Sequence, residues 1–292
     1  GIGDDCAVLA LDNNNYQLFT TDTLVDGTHF HTIWQTAYQV GCKLVEVNVS
    51  DILAMGGYPT SAVIALTIPE HTDVKWVQEL YKGISAASSR HNMFVTGGDT
   101  TRGPNIVLTL ALLGNVPHNR LKLRSTAIPE DIICVTGTLG KSAAGLAAFQ
   151  NNITGNKDGY LSPKARTVEE SSLISKFASA MIDISDGLAS EITHICTSSN
   201  TGSFIEAKNI PISEDVKAIA DKIRTDPLEW ALYGGEDYEL LFTIPAEYIA
   251  SLKKEFSDFT QIGKILSSEK DICLIEKGKI TTVKPGFDHF KQ

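Results

Sequence analysis

Six short segments of the chain set carboxylates beside glycine or hydroxyl residues. They are Gly3-Asp4-Asp5, Thr20-Thr21-Asp22-Thr23, Ser50-Asp51, Gly97-Gly98-Asp99-Thr100-Thr101, Asp183-Ile184-Ser185-Asp186-Gly187 and Gly234-Gly235-Glu236-Asp237-Tyr238. This composition suits a hard cation bound together with phosphate. Mg2+ takes oxygen ligands and is usually shared between one or two carboxylates and substrate phosphates. Hydroxyls add neutral oxygens, and glycines let backbone N–H groups approach a phosphate. Each segment alone is also ordinary turn chemistry, and Asp186 could simply cap a helix beginning at Leu188. Asp51 is harder to dismiss, because it sits in a largely apolar helical stretch where a carboxylate must be paired, exposed or metal-bound. Six such segments spread along the chain are not easily explained as turns alone.

Other signals are weaker. Gly137-Thr138-Leu139-Gly140-Lys141-Ser142 imitates a phosphate-binding loop but has two residues between its glycines where the pattern needs four. A tight strand-to-helix turn is favoured, although a helix N-terminus can still touch a phosphate. Seven histidines show no HxxxH or HExxH spacing, which argues against zinc hydrolysis. There is no GxSxG elbow and no cysteine with a nucleophile signature. His29, just beyond the Thr-Asp segment, is either a loop residue or a ligand. Arg124 is either a solvated surface residue or a bidentate phosphate clamp.

These side chains need a scaffold, and the hydrophobic pattern alternates strands with helices. Cys6–Leu11, Gln17–Thr21, Ser61–Ile68, Met93–Thr96 and Ile106–Val116 read as strands. Gly97–Pro104 reads as a loop. Thr36–Met55 and Asp73–Arg90 read as helices, the latter with Trp76, Val77, Leu80, Tyr81, Ile84 and Ala87 on one face. A polar connection from Pro117 to Pro129 suggests two α/β domains, 1–117 and 118–292. In the second, Asp131–Thr136, Met181–Ile184 and Tyr238–Ile244 read as strands, and Ile272–Val283 as a hairpin. Lys141–Gln150, Arg166–Ala180, Gly187–Cys196, Glu229–Leu232 and Glu247–Phe256 read as helices.

Composition bounds the partners. Of 292 residues, 42 % are hydrophobic and 21 % charged, enough apolar material for sizeable cores and unlike a disordered chain. A net charge of −10 argues against nucleic acid or membrane surfaces, which need clustered Lys and Arg. No apolar run is long enough for a membrane span, and no secretion signal is in view. The chain opens without Met, so its start is expected further upstream. Five widely spaced cysteines fit a reducing cytoplasm.

Taken in order, the six segments, with His29-Phe30, the longer runs Asn48-Val49-Ser50-Asp51 and Thr100-Thr101-Arg102-Gly103-Pro104, and the ending Gly286-Phe287-Asp288-His289-Phe290, closely resemble the bacterial thiamine-monophosphate kinase family. That family belongs to the ATP-binding superfamily named after aminoimidazole ribonucleotide synthetase. The resemblance covers essentially the whole chain. It implies a mixed α/β fold of two domains whose N-terminal sheets pair into a barrel across a homodimer. It implies ATP, thiamine monophosphate and several Mg2+ ions at a site built from both domains. By position, Asp5, Thr20, Thr21, Asp22, Asp51, Asp99, Asp183 and Asp186 would be metal ligands. Gly98, Asp99, Arg124 and Ser185 would lie on ATP. His29 and Glu236 would hold thiamine monophosphate, with Phe287 as the aromatic over its rings. The family's usual leading helix is missing before Gly1.

The implied reaction moves the γ-phosphoryl group of ATP onto a phosphate that is already largely dianionic, so no general base is expected. Eight motif carboxylates (Asp4, Asp5, Asp22, Asp51, Asp99, Asp183, Asp186 and Glu236) would then account for most of the −10. Alternatives are another ATP-using enzyme of the superfamily, such as selenophosphate synthetase, or a non-catalytic nucleotide or thiamine-phosphate binder.

Overall fold

In the computed structural model, residues 3–267 and 271–283 are described. The first half of the chain forms β1 (Ala7–Ala10), β2 (Asn15–Val25), α1 (Ala37–Ala54), β3 (Tyr58–Ile68), α2 (Val74–Arg90), β4 (Phe94–Arg102) and β5 (Val107–Pro117). The strands make one sheet in the order β1-β2-β5-β3-β4, in which β3 and β4 run parallel and the other neighbours antiparallel. Alternation gives each strand two faces. Leu18 and Leu24 of β2, Ile64 and Leu66 of β3, and Leu108, Leu110 and Leu112 of β5 face α1 and α2 and are buried. Phe19 and Val63, on the opposite face, are 43 % and 47 % exposed.

The second half forms β6 (Ile132–Thr136), α3 (Lys141–Gln150), α4 (Asp158–Leu161), α5 (Val168–Ser175), β7 (Ala180–Asp183), α6 (Leu188–Ser199) and β8 (Gly202–Glu206). It continues through α7 (Glu214–Ile223), α8 (Pro227–Tyr233), β9 (Leu240–Ile244), α9 (Ile249–Glu255), β10 (Phe259–Leu266), β11 (Ile272–Glu276) and β12 (Lys279–Thr282). Its mixed sheet has the order β12-β11-β8-β10-β6-β9-β7. One face packs on α6 and α8 through Leu188, Ile192, Ile195 and Leu232. The other packs on α5 and α9 through Ile174 and Leu252, joined by Ala54 of α1.

Helix α1 lies between the two halves. A capping box starts it: the Thr36 hydroxyl accepts from Gln39 N, and the Gln39 side chain accepts from Thr36 N. Unlike a surface helix, it is buried nearly all round, including the polar Lys43, Glu46, Asn48 and Ser50. Each of these four has a partner on another element. Glu46 takes hydrogen bonds from Ala165 N, Arg90 and His91, and Ser50 donates to Asp183. Asn48 accepts from Asp22 N, and Lys43 pairs with Glu236.

Several elements differ from the sequence expectations. Gly97–Pro104 is not a loop: β4 runs to Arg102, paired in parallel with β3. A Cβ at Gly98 would sit 2.0 Å from the Ile64 carbonyl oxygen, so this glycine permits close strand approach rather than a turn. A bulge beside Ala62 and Val63 shifts the register there. Helix α5 begins at Val168, after a Thr167–Glu170 capping box, and ends at Ser175, well short of Ala180. Strands β8 and β10 and helix α7 are additions to the sequence expectations, although α7 has a helical apolar stripe of Val216, Ile219, Ala220 and Ile223 behind a Ser213 cap. The five-stranded sheet of this one chain is open, with β1 and β4 as its edges, and is not a closed barrel.

Helices α1 and α2 cross on paired glycines. A Cβ at Gly41 would lie 2.1 Å from the Leu80 carbonyl oxygen, and one at Gly83 would lie 2.0 Å from that of Tyr38. Gly→Ala inside a helix normally stabilises by about 0.5–1 kcal/mol. Here the sign reverses: Gly41→Ala or Gly83→Ala is expected to cost about 1–3 kcal/mol in urea unfolding, because the backbones must separate.

Candidate active site

Three carboxylates from distant parts of the chain meet at the seam between the halves. Asp5 precedes β1, Asp51 is in the last turn of α1, and Asp183 ends β7. One oxygen of each lies within 4.8 Å of the others. The Thr20 hydroxyl donates to Asp51, and the Ser50 hydroxyl donates to Asp183 at 2.6 Å. Arg124 donates to Asp5 at 2.6 Å through its guanidinium and to Asp4 at 2.8 Å through its backbone N–H. Asp22 joins from β2, its backbone fixed by Asn48.

Burial, reinforced by the neighbouring charges, disfavours ionisation of this group. Asp183 is pushed up to about 8 and Asp22 to about 6, while Asp51 is held well above the usual carboxylate range. Asp5 is also raised, despite the Arg124 guanidinium against it. One guanidinium does not offset four carboxylates. The donors are all hard oxygens, carboxylate or hydroxyl, which is the chemistry that divalent cations such as Mg2+ require.

The cluster forms one side of a cavity of about 480 Å3. Asp22, Asp51, Asp183, Ser185 and Asp186 give that side its charge. Leu24, Val47, Leu146, Ala147, Trp230 and Tyr238 add apolar side chains, beside the polar Thr23, Thr28, Ser142 and Gln150. His29 and Glu236 also line it. The His29 Nδ1 accepts from Val25 N at 3.1 Å, which puts the ring proton on Nε2. The Gly234–Tyr238 loop is seated against the Asp183–Asp186 loop: Glu236 N donates to Ser185 O and Tyr238 N to Ile184 O, at 2.7 and 2.9 Å. Glu236 and Tyr238 both adopt positive φ. Gly235 does too, and a Cβ there would sit 2.4 Å from the Ser185 carbonyl oxygen.

At two helix starts the structure decides between the readings. The α3 N-terminus is already occupied from within: Asp237 accepts from the N–H groups of Gly140, Lys141 and Ser142 at 2.6, 2.9 and 3.3 Å. The glycine turn at 137–140 therefore binds a carboxylate of its own chain rather than a phosphate. Gly187, not Asp186, stands at the N-cap of α6. Instead Glu191, one turn into α6, accepts from Asp186 N at 2.9 Å and holds that loop. Glu191 was not singled out in the sequence, where it is one acid among 35.

The remaining sequence candidates lie elsewhere. Thr21 points to the exposed face of β2, opposite Thr20 and Asp22. Gly98 and Asp99 are exposed on the edge strand β4, outside the cavity lining. Two strands separate β4 from β2, so three inter-strand spacings, about 14 Å, lie between Asp99 and the Asp22 row. One cation, with oxygen bonds of about 2.1 Å, cannot span that distance within a single chain. Phe287 lies outside the described residues.

Raised carboxylates make the metal-free protein sensitive to pH. The native state keeps protons on Asp22 and Asp183 that the unfolded chain, near 3.8, has released. Stability should therefore fall as pH rises from about 4 to about 8. Thermal midpoints in EDTA should show this slope, and millimolar Mg2+ should flatten it. Asp51→Asn, which removes one charge from the cluster, should raise the EDTA midpoint and abolish the Mg2+ response. A pH-independent midpoint in EDTA would contradict the cluster's burial.

Residues 3–116 match the family described as AIR synthase related protein, N-terminal domain. The thiamine-monophosphate kinase of Buchnera aphidicola subsp. Acyrthosiphon pisum is 39 % identical, over 99 % of this chain and 92 % of its own length. That of Escherichia coli K12 is 38 % identical, over 99 % and 91 %. The structure of AaThiL complexed with AMPPCP and TMP superposes with a TM-score of 0.88 at 33 % identity, covering 99 % of this chain and 92 % of the other. Similarity of this degree runs from end to end through both sheets and the seam between them, and on that basis the chain belongs to the thiamine-monophosphate kinases.

Proposed function

We propose that the chain transfers the γ-phosphoryl group of ATP to the phosphate of thiamine monophosphate, giving thiamine diphosphate and ADP. The observation that carries this reading is the largely buried Asp5–Asp51–Asp183 cluster beside a cavity that also offers apolar side chains, in a chain similar throughout to thiamine-monophosphate kinases. A non-catalytic binder would be expected to have lost some of the motif carboxylates, and all of them are present.

The acceptor, a phosphate monoester with a second pKa of about 6, arrives largely dianionic, so the chain has no proton to remove. Its task is to bring two polyanions together and stabilise charge on the transferring group. Asp5, Thr20, Asp22, Asp51, Asp183 and Asp186 would hold several Mg2+ ions, which when bound neutralise phosphate oxygens. Arg124 adds a fixed positive charge. Its Nε–H is buried with no hydrogen-bond partner, and we assign that donor to a nucleotide phosphate, beside Ser185. His29 and Glu236 hold thiamine monophosphate, with Trp230 in the apolar wall around its rings.

We further propose that 1–117 and 118–292 are two domains and that the working unit is a homodimer. Support comes from the open sheet face bearing exposed Phe19 and Val63, and from the exposed edge strand β4. Pairing two such sheets would cover that face and carry Gly98 and Asp99 of one copy towards the nucleotide of the other. Thr21, on the same open face, would join them there.

The test is ATP-dependent formation of thiamine diphosphate by the purified chain, stopped by EDTA and restored by Mg2+. Metal-independent turnover would refute the mechanism. Asp51→Ala and Asp99→Ala should each lower kcat by about 100-fold or more while the protein stays folded. Co-expressed together, the two inactive variants should recover about a quarter of wild-type activity, because half the dimers would hold one intact site. No recovery would place Asp99 in its own chain's site or outside catalysis.

A further inference from the structure

Lys43 is a fully buried charge behind the cavity wall, paired with wall residues. Its side chain is 0 % exposed, whereas that of Glu236, its partner, is 26 % exposed. The ammonium donates to Glu236 Oε1 at 2.7 Å and to the backbone oxygen of His29 at 2.6 Å, and it lies 5.5 Å from the centre of the Tyr160 ring. The second Glu236 oxygen, Oε2, accepts from the Ser142 hydroxyl at 3.2 Å. Burying an ammonium is costly unless it is fully hydrogen-bonded, so stability alone is weak grounds for its presence. Its two hydrogen-bond partners explain it better. One belongs to the loop after β2 and the other to the loop after α8, and both loops line the cavity.

The helix adds a second observation. Lys43, Val47 and Asp51 are spaced i, i+4, i+8 and so share one face of α1. Val47 and Asp51 line the cavity. Eight residues of helix rise span about 12 Å. One rigid face thus carries a ligand of the metal cluster at one end, an apolar contact in the middle and the cation that orders Glu236 at the other.

We propose that Lys43 is the positioning residue for the thiamine end of the substrate. It holds the Glu236 carboxylate and the His29 loop in one fixed geometry, so that the carboxylate meets the amino-bearing, cationic ring system of thiamine monophosphate already oriented. This rests on the reading that His29 and Glu236 hold that substrate. Replacing Lys43 with a neutral residue of similar length leaves Glu236 able to take water, because it is part-exposed, but frees it to turn.

The experiment compares Lys43→Met, Glu236→Gln and the double variant with the wild-type chain. Binding of thiamine monophosphate and of Mg2+–AMPPCP is titrated separately, and steady-state constants are measured alongside. Lys43→Met should weaken thiamine monophosphate about 10–100-fold in Kd and KM, the effect of one charge-assisted hydrogen bond. Nucleotide Kd and kcat at saturation should stay within about twofold to threefold of wild type, on the same principle that the lost bond serves substrate binding. The double variant should bind thiamine monophosphate no more weakly than Glu236→Gln alone, because Lys43 acts through Glu236. If Lys43→Met fails to fold, that last comparison carries the test, since the double variant leaves no unpaired charge. Unchanged thiamine monophosphate binding in Lys43→Met, equal loss of nucleotide and substrate affinity, additive losses in the double variant, or a double variant that does not fold would each overturn the proposal. A wild-type chain that binds no thiamine monophosphate would instead overturn the functional reading beneath it.

Discussion

Everything near the cavity answers to one electrostatic constraint: several carboxylates are held close together away from water with too little positive charge beside them. Asp5, Asp22, Asp51 and Asp183 converge with Arg124 as their one guanidinium, and burial drives their proton affinities up. Such an arrangement works against folding. Under the function proposed above, cations and phosphate-bearing substrates would supply the missing positive charge and contacts.

The constraint explains the unusual character of α1. A helix between two sheets would ordinarily be apolar all round. Here it carries buried Lys43, Glu46, Asn48 and Ser50, and each is satisfied by a group on another element. The bonds of Lys43, Glu46 and Ser50 to Glu236, Ala165 and Asp183 register the two halves against each other, so that Asp51 from one sheet's helix and Asp183 from the other sheet's edge strand come close together. The Gly41 and Gly83 crossing with α2 sets how close that helix can come to its neighbour. The Gly234–Tyr238 loop, with two non-glycine residues at positive φ, stores local strain where Glu236 must face the cavity.

The open face of the five-stranded sheet is the counterpart of this closed seam. Its edge strand β4 bears the Gly97-Gly98-Asp99 run on a wholly exposed surface. Exposed parallel edges invite pairing. Unlike a surface loop, a strand at an edge can be completed by a second sheet.

Much of this was legible in the residues themselves. The hydroxyl and carboxylate segments pointed to Asp5, Asp51 and Asp183, which do meet, the apolar periodicities located α1 and α2, and the order of the motifs carried the family. Local pattern reads local chemistry well because side-chain type and spacing are properties of the chain. What it could not supply was which candidates meet. Thr20 and Thr21 are neighbours in sequence, yet strand alternation sends one to the cluster and the other to the open face. Asp99 looks equivalent to Asp51 until three strand spacings separate it from Asp22. Asp237 looks like part of a ligand segment but is used up on the α3 N-terminus. Lys43 and Glu191 carry no motif and are recognised only by burial and by the loops they hold. Proximity across 31 to 193 residues of sequence is decided by packing of the two sheets about α1, and no local pattern encodes it.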